Sequence, residues 1–183
     1  MRNLKFIPFY KVAALLAIFV IFSSSCKKDN KKDNPNNLDY VGTWMSMDST
    51  STDYGYIESK DILTLTETSR TNLIQAHIPI PIDFWIDYAS LKASISVNGN
   101  IMDGNVTEVG IVSVNTATGL PTGKMTIYKE GTTEFDTLLS GAGQSKTFKS
   151  EYSVAGNKLT IKTDINKDGD FLDAKEARVY TKQ

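Results

Sequence analysis

The chain has one cysteine and one histidine in 183 residues, and each scarcity excludes chemistry. A single thiol cannot form an intramolecular disulfide, so the fold must be held by its own core. One imidazole leaves a Ser-His-Asp or Cys-His device only His77 to use, and no nucleophile signature lies beside it. His77 is read as an ordinary loop or strand-edge histidine. Zinc-type ligand pairs, phosphate-binding glycine loops and coenzyme fingerprints are absent from the sequence too. Paired glycosidase-type carboxylates are the one catalytic arrangement that spacing leaves open, because any two acids can meet in a fold. Basic patches interleaved with aromatics are lacking, which argues against a nucleic-acid partner. The expectation is a non-catalytic protein.

What is present begins with a leader. Arg2, Lys5 and Lys11 form a basic start, and Val12 to Phe22 is an unbroken apolar run of 11 residues, the length of a signal core and too short to span a bilayer. Ser23-Ser24-Ser25-Cys26 follows. This resembles the lipobox of bacterial lipoproteins, in which small residues precede a cysteine that is acylated and becomes the new N-terminus. Ser23 stands where that family usually has an aliphatic residue. The resemblance implies a signal peptide over residues 1–25, lipidation at Cys26 and a membrane partner through that anchor. Two acyl chains, at about 0.8 kcal/mol per buried methylene, hold such a protein stably. Lys27 rather than aspartate after the cysteine implies, by analogy with lipoprotein sorting, the outer membrane.

Lys27-Lys28-Asp29-Asn30 and Lys31-Lys32-Asp33-Asn34 then repeat in tandem before Pro35-Asn36-Asn37, without an apolar side chain. Such a stretch buries nothing to offset its ordering entropy. Residues 26–37 are read as a lipid-anchored flexible tether with a reach of roughly 20 Å. Loss of the leader removes three basic and no acidic residues, leaving 17 against 21; loss of the tether leaves 13 against 19. The folded part, residues 38–183, is therefore mildly acidic.

From Leu38 onward Thr, Ser, Ile, Val and Tyr dominate and turn residues recur at short intervals, the composition of a β domain. Leu91, Ala93, Ile95 and Val97 alternate with Lys92, Ser94 and Ser96, and Asn98-Gly99 supplies a turn. Residues 106–114, 124–129 and 146–154 read as further strands, and Gly156-Asn157 as the turn of the clearest hairpin. His77-Ile78-Pro79-Ile80-Pro81-Ile82 cannot be interior helix. Alternation through Ile82, Phe84, Ile86 and Tyr88 favours a strand there, over a helical turn that would bury Trp85 and Ala89. These segments predict an all-β domain: a single antiparallel β-barrel of about eight to ten strands, with a β-sandwich as the alternative.

Val41-Gly42-Thr43-Trp44 near the start of the domain, with the hairpin from Tyr152 to Ile161 and the strand from Ala177 to Lys182 near its end, resembles the bacterial lipocalin-like domains often found behind a lipobox. That family is a β-barrel opening with Gly-x-Trp, whose tryptophan closes the base under a basic side chain from the last strand. The resemblance implies a barrel-base motif of Gly42, Trp44 and Arg178, with Lys182 as second choice for the cation. It implies a small apolar or amphipathic ligand in the cup, or an interaction module. Tyr54, Tyr56, Phe84, Trp85 and Tyr88 are candidates for cavity or core. The alternative from another class is a β-sandwich adhesion or glycan-binding accessory lipoprotein.

One constellation carries metal chemistry. Asp164, Asn166, Asp168 and Asp170 place oxygens at alternate positions, with Gly169 where a calcium loop turns sharply. Lys175 stands where the bidentate glutamate of an EF-hand belongs, and strands rather than helices flank the loop. Asp173 or Glu176 would complete the shell. The expectation is a structural calcium ion between the last two strands; the competing reading is a solvated acidic loop.

Overall fold

The structure, a computed structural model, describes residues 38–52, 55–78, 83–115, 121–165, 167–173 and 176–183. Among the described residues there are nine strands: β1 (Gly42–Thr52), β2 (Gly55–Leu65), β3 (Ser69–Ile78), β4 (Phe84–Asn98), β5 (Ile101–Val114), β6 (Pro121–Lys129), β7 (Thr147–Ala155), β8 (Lys158–Thr163) and β9 (Ala177–Lys182). One helix, α1 (Thr133–Gly141), lies between β6 and β7.

The strand order is β4-β3-β2-β1-β9-β8-β7-β5-β6, and a further β4–β5 pairing closes eight strands into a barrel with β6 as an added strand. Every pairing is antiparallel. Closure, which a sandwich lacks, removes most of the free edges that would template aggregation, and β6 outside the ring keeps one. The barrel is therefore the architecture, and the sandwich alternative is set aside. β5 divides its outer edge, giving residues 101–105 to β7 and residues 108–114 to β6. α1 fills the divergence, burying Phe135 and Leu139 against Val106 with Leu91, Val109, Tyr128 and Phe148 around them.

Alternation drives these strands. Along β4, Ala93 and Ile95 are buried while Lys92, Ser94 and Ser96 are exposed, so one face meets the interior and the other meets water. At the start of β4 the period breaks. Asp87 pairs with Gln75 and Ala89 with Ile74, so Tyr88 is the extra residue of a bulge. Ile86 and Ala89, three apart, then both point inward. The segment is strand, as its alternation suggests, and the bulge explains why its burial also fits a helical turn. Gly99 and Gly156 take positive φ of 61° at the β4–β5 and β7–β8 turns, a backbone region that glycine enters without Cβ strain.

Interior residues of β1, β2, β4, β5, β8 and β9 make the main core: Trp44, Leu63, Leu65, Ile95, Met102, Leu159, Ile161 and Tyr180, with Tyr40 from the preceding turn. It fills one end of the barrel. The chain enters at that end, so the other end of the interior is where a site can form.

Candidate functional site: an interior cavity over a polar floor

Trp44 is fully buried in the base, and its indole Nε1 donates to the Tyr40 carbonyl at 2.8 Å. The cation over its ring is Lys182, with Nζ 5.2 Å from the ring centroid. This corrects the choice of Arg178, and the register gives the reason. Trp44 pairs with Lys182 directly across β1 and β9, whereas Arg178 lies four residues, or about 13 Å, along β9. Gly42 takes φ +139°, and a Cβ there would lie 3.5 Å from Lys182 Cε. The glycine supplies backbone freedom where the chain enters the barrel.

Arg178 serves a different group. Asp61 is 1 % exposed inside the barrel and accepts from Asn72 Nδ2 at 2.9 Å and from Tyr180 Oη at 2.8 Å. Arg178 Nη1 stands 3.2 Å from its Oδ2. Arg70 Nε donates to Asn72 Oδ1 at 2.8 Å, and its guanidinium lies 5.0 Å from the Phe148 ring centroid. A buried carboxylate is tolerated when it is paired and hydrogen-bonded in this way. Burial, and next the facing Asp61 carboxylate, push the Tyr180 phenol well above the ordinary tyrosine range.

These residues border a cavity of about 720 Å³. Its polar side is Asp61, Arg70, Asn72 and Arg178, with Ser46 and Asp48 from β1; its apolar side includes Ile74, Ala89, Leu91, Val106, Val109 and Ile111. Leu138, Leu139 and residues 141–145 bring α1 and its following turn to the rim. Phe84, Trp85 and Tyr88 do not line it. Tyr54 and the side chain of Tyr56 lie outside the described residues. Aliphatic side chains make the largest share of the lining, polar ones the next, and Phe148 and Tyr180 are its aromatics among the described residues.

The aromatics of the proline-containing region make a separate surface group. His77 and Trp85 stack with centroids 4.9 Å apart, Lys60 Nζ lies 3.8 Å from the Trp85 ring centroid, and His77 sits between Glu58 at 3.2 Å and Asp83.

The acidic loop joins β8 to β9, as its flanking strand pattern predicts. Its carboxylates hold backbone amides. Asp164 Oδ2 accepts from Gly169 N at 3.2 Å, Asp168 Oδ1 from Asp170 N at 3.0 Å and Asp170 Oδ1 from Leu172 N at 2.9 Å. Glu176, 5 % exposed, accepts from Ile165 N at 3.1 Å and Asp173 N at 3.4 Å. Among the described residues no three acidic, histidine or cysteine side chains converge to hold a metal. Asp164 Oδ1 is nevertheless buried without a hydrogen-bond partner among the described residues. Asn166 and Cys26, with the leader and tether, lie outside the described residues.

No protein-family model matches the chain, and no curated protein matches it.

Proposed function

We propose that the chain is a lipid-anchored, lipocalin-like barrel that holds one small amphipathic ligand in its interior and performs no catalysis. The cavity carries this reading. At about 720 Å³ it falls within the size range of small-molecule sites, roughly 300–1,000 Å³. Its composition fits an amphipath, with aliphatic side chains from β3, β4 and β5 on one side and charged and amide side chains on the other. An apolar chain would lie along Leu91, Val106 and Val109, and a polar group would face Arg70, Arg178 and Asn72. Among the described residues Arg70 forms no salt bridge, and its Nε donates to Asn72. The sequence supports the location. Cys26 in its lipobox-like setting, followed by a polar tether of lysine, aspartate, asparagine and one proline, would hold the barrel at the outer membrane. Mass spectrometry of small molecules released from the purified protein tests the ligand. One amphipath in near-stoichiometric amount is expected, and an empty protein in every preparation argues against it.

We also propose that calcium, when bound, occupies the loop from Asp164 to Glu176 as a structural ion. The buried, unpartnered Asp164 Oδ1 supports this, because a buried carboxylate oxygen without a donor is costly. Asp164, Asn166 and Asp168 would bind through side chains and Asp170 through its carbonyl, with Asp173 or Glu176 completing the shell. Asp168 would then turn its carboxylate from Asp170 N toward the ion, while the Asp170 side chain keeps its bond to Leu172 N. Calorimetric titration with calcium, with Asp164→Ala as control, checks it: heat of binding in the parent chain alone is expected. No heat in either chain removes the ion.

A further inference from the structure

The barrel wall is not equally closed all round. β1 and β9 pair only at Trp44–Lys182 and Met45–Thr181, although β1 continues to Thr52 and β9 begins at Ala177. Continued register would set Ser46 against Tyr180, Met47 against Val179 and Asp48 against Arg178, and none of these pairs forms. On their other edges both strands are fully laddered, β1 to β2 and β9 to β8. The seam between β1 and β9 therefore parts above the base.

The lining of the cavity straddles this parting. Trp44 and Tyr180 point inward, so by alternation Met47 and Val179 stand on the outer face. Both nevertheless border the cavity, together with the inward Asp48 and Arg178 of the same two strands. A cavity bounded by inner and outer residues of two facing strands passes through the wall between them. Its outer lip is apolar: Met47 is 55 % exposed, Val179 41 % and Ile165, which also borders the cavity, 44 %.

We propose that this slit between β1 and β9 is the opening through which the apolar chain of an amphipathic ligand enters and leaves. The inference rests on the cavity-binding reading above. A chain that slides in sideways keeps its polar group at Asp48 and Arg178 or in water throughout. That group never crosses the aliphatic interior, so its desolvation is avoided. Met47, Val179 and Ile165 give the incoming chain apolar contact before it is inside.

The test uses the full chain with Cys26→Ser and cysteines placed at Met47→Cys and Val179→Cys, bridged by a short bis-maleimide. Stopped-flow fluorescence follows 1-anilinonaphthalene-8-sulfonate. Bridging should slow association and dissociation together by about tenfold or more while leaving the affinity nearly unchanged, because it obstructs a path and not the site. The same linker across Thr64→Cys and Thr71→Cys, a laddered pair of β2 and β3, should leave both rates unchanged. An unbridged Met47→Asp/Val179→Asp variant should also slow exchange by charging the lip. Parent-like rates in both seam variants overturn the proposal while binding itself persists. Absence of saturable binding in every variant overturns the cavity reading, and this inference with it.

Discussion

Lys182 Nζ lies 5.2 Å from the centroid of the Trp44 ring, at the point where the last strand meets the first. The contact joins the first and last strands across the barrel's base. Trp44→Ala is expected to cost about 3–5 kcal/mol through cavity formation. Lys182→Met, which keeps the stem and removes the charge, should cost about 0.5–2 kcal/mol. Denaturant unfolding measures both, and Arg178→Met should leave the Lys182→Met effect unchanged, because the two cations serve different partners.

The buried carboxylate is the next point of vulnerability. Asp61→Leu strips Arg178, Tyr180 and Asn72 of the oxygens they share and should cost about 3–5 kcal/mol. Arg178→Met should cost less, since the arginine side chain is partly exposed and Asp61 keeps two neutral donors. The double variant should be less destabilised than the two losses added together, because the residues act as one network.

Alkaline pH should weaken the fold through Tyr180. Burial and Asp61 raise its phenol pKa in the folded state, so above the unfolded tyrosine value of about 10 the unfolded chain loses a proton that the folded chain keeps. This contribution to stability is fully present below pH about 10 and falls by about 1.4 kcal/mol per pH unit above it. Tyr180→Phe should lower stability at neutral pH but shrink that alkaline slope by one proton. Tyr40 and Tyr88, whose pKa values are also raised, keep theirs.

Gly104 lies opposite Phe148 across β5 and β7, and a Cβ at Gly104 would fall 2.0 Å from the ring's Cζ. The ring covers the bare backbone. Gly104→Ala should therefore destabilise by about 1–3 kcal/mol by overfilling the site. In a Phe148→Ala background the same substitution should cost almost nothing, a coupling that a double-mutant cycle reads directly.

Alternation made the strands legible, and the turn glycines set the hairpins: Gly99 and Gly156 lie at turns as their flanking residues predict. The bulge at Tyr88 in β4 was hidden because one extra residue leaves composition unchanged while shifting the inward face. α1 was also missed. Its signals are short-range, with Thr132 accepting from Phe135 N as N-cap and Glu134 and Asp136 in the first turn, and nine residues carry little periodicity. The barrel base was half legible. Gly42 and Trp44 mark it in sequence, but choosing Lys182 over Arg178 needs the register of two strands more than 130 residues apart. The polar floor left no local trace, since Asp61, Asn72, Arg178 and Tyr180 come from three strands and meet only when the barrel closes.

The central claim is a ligand cavity inside the barrel, and filling that cavity tests it most directly. Fluorescence titration with 1-anilinonaphthalene-8-sulfonate compares the parent chain with Ala89→Phe/Leu91→Phe, two interior positions on the cavity wall, with circular dichroism confirming that both are folded. Saturable one-to-one binding by the parent, weakened about tenfold or more in the filled variant, is the predicted result. Parent-like binding by the folded, filled variant, or no saturable binding by the parent, contradicts the account.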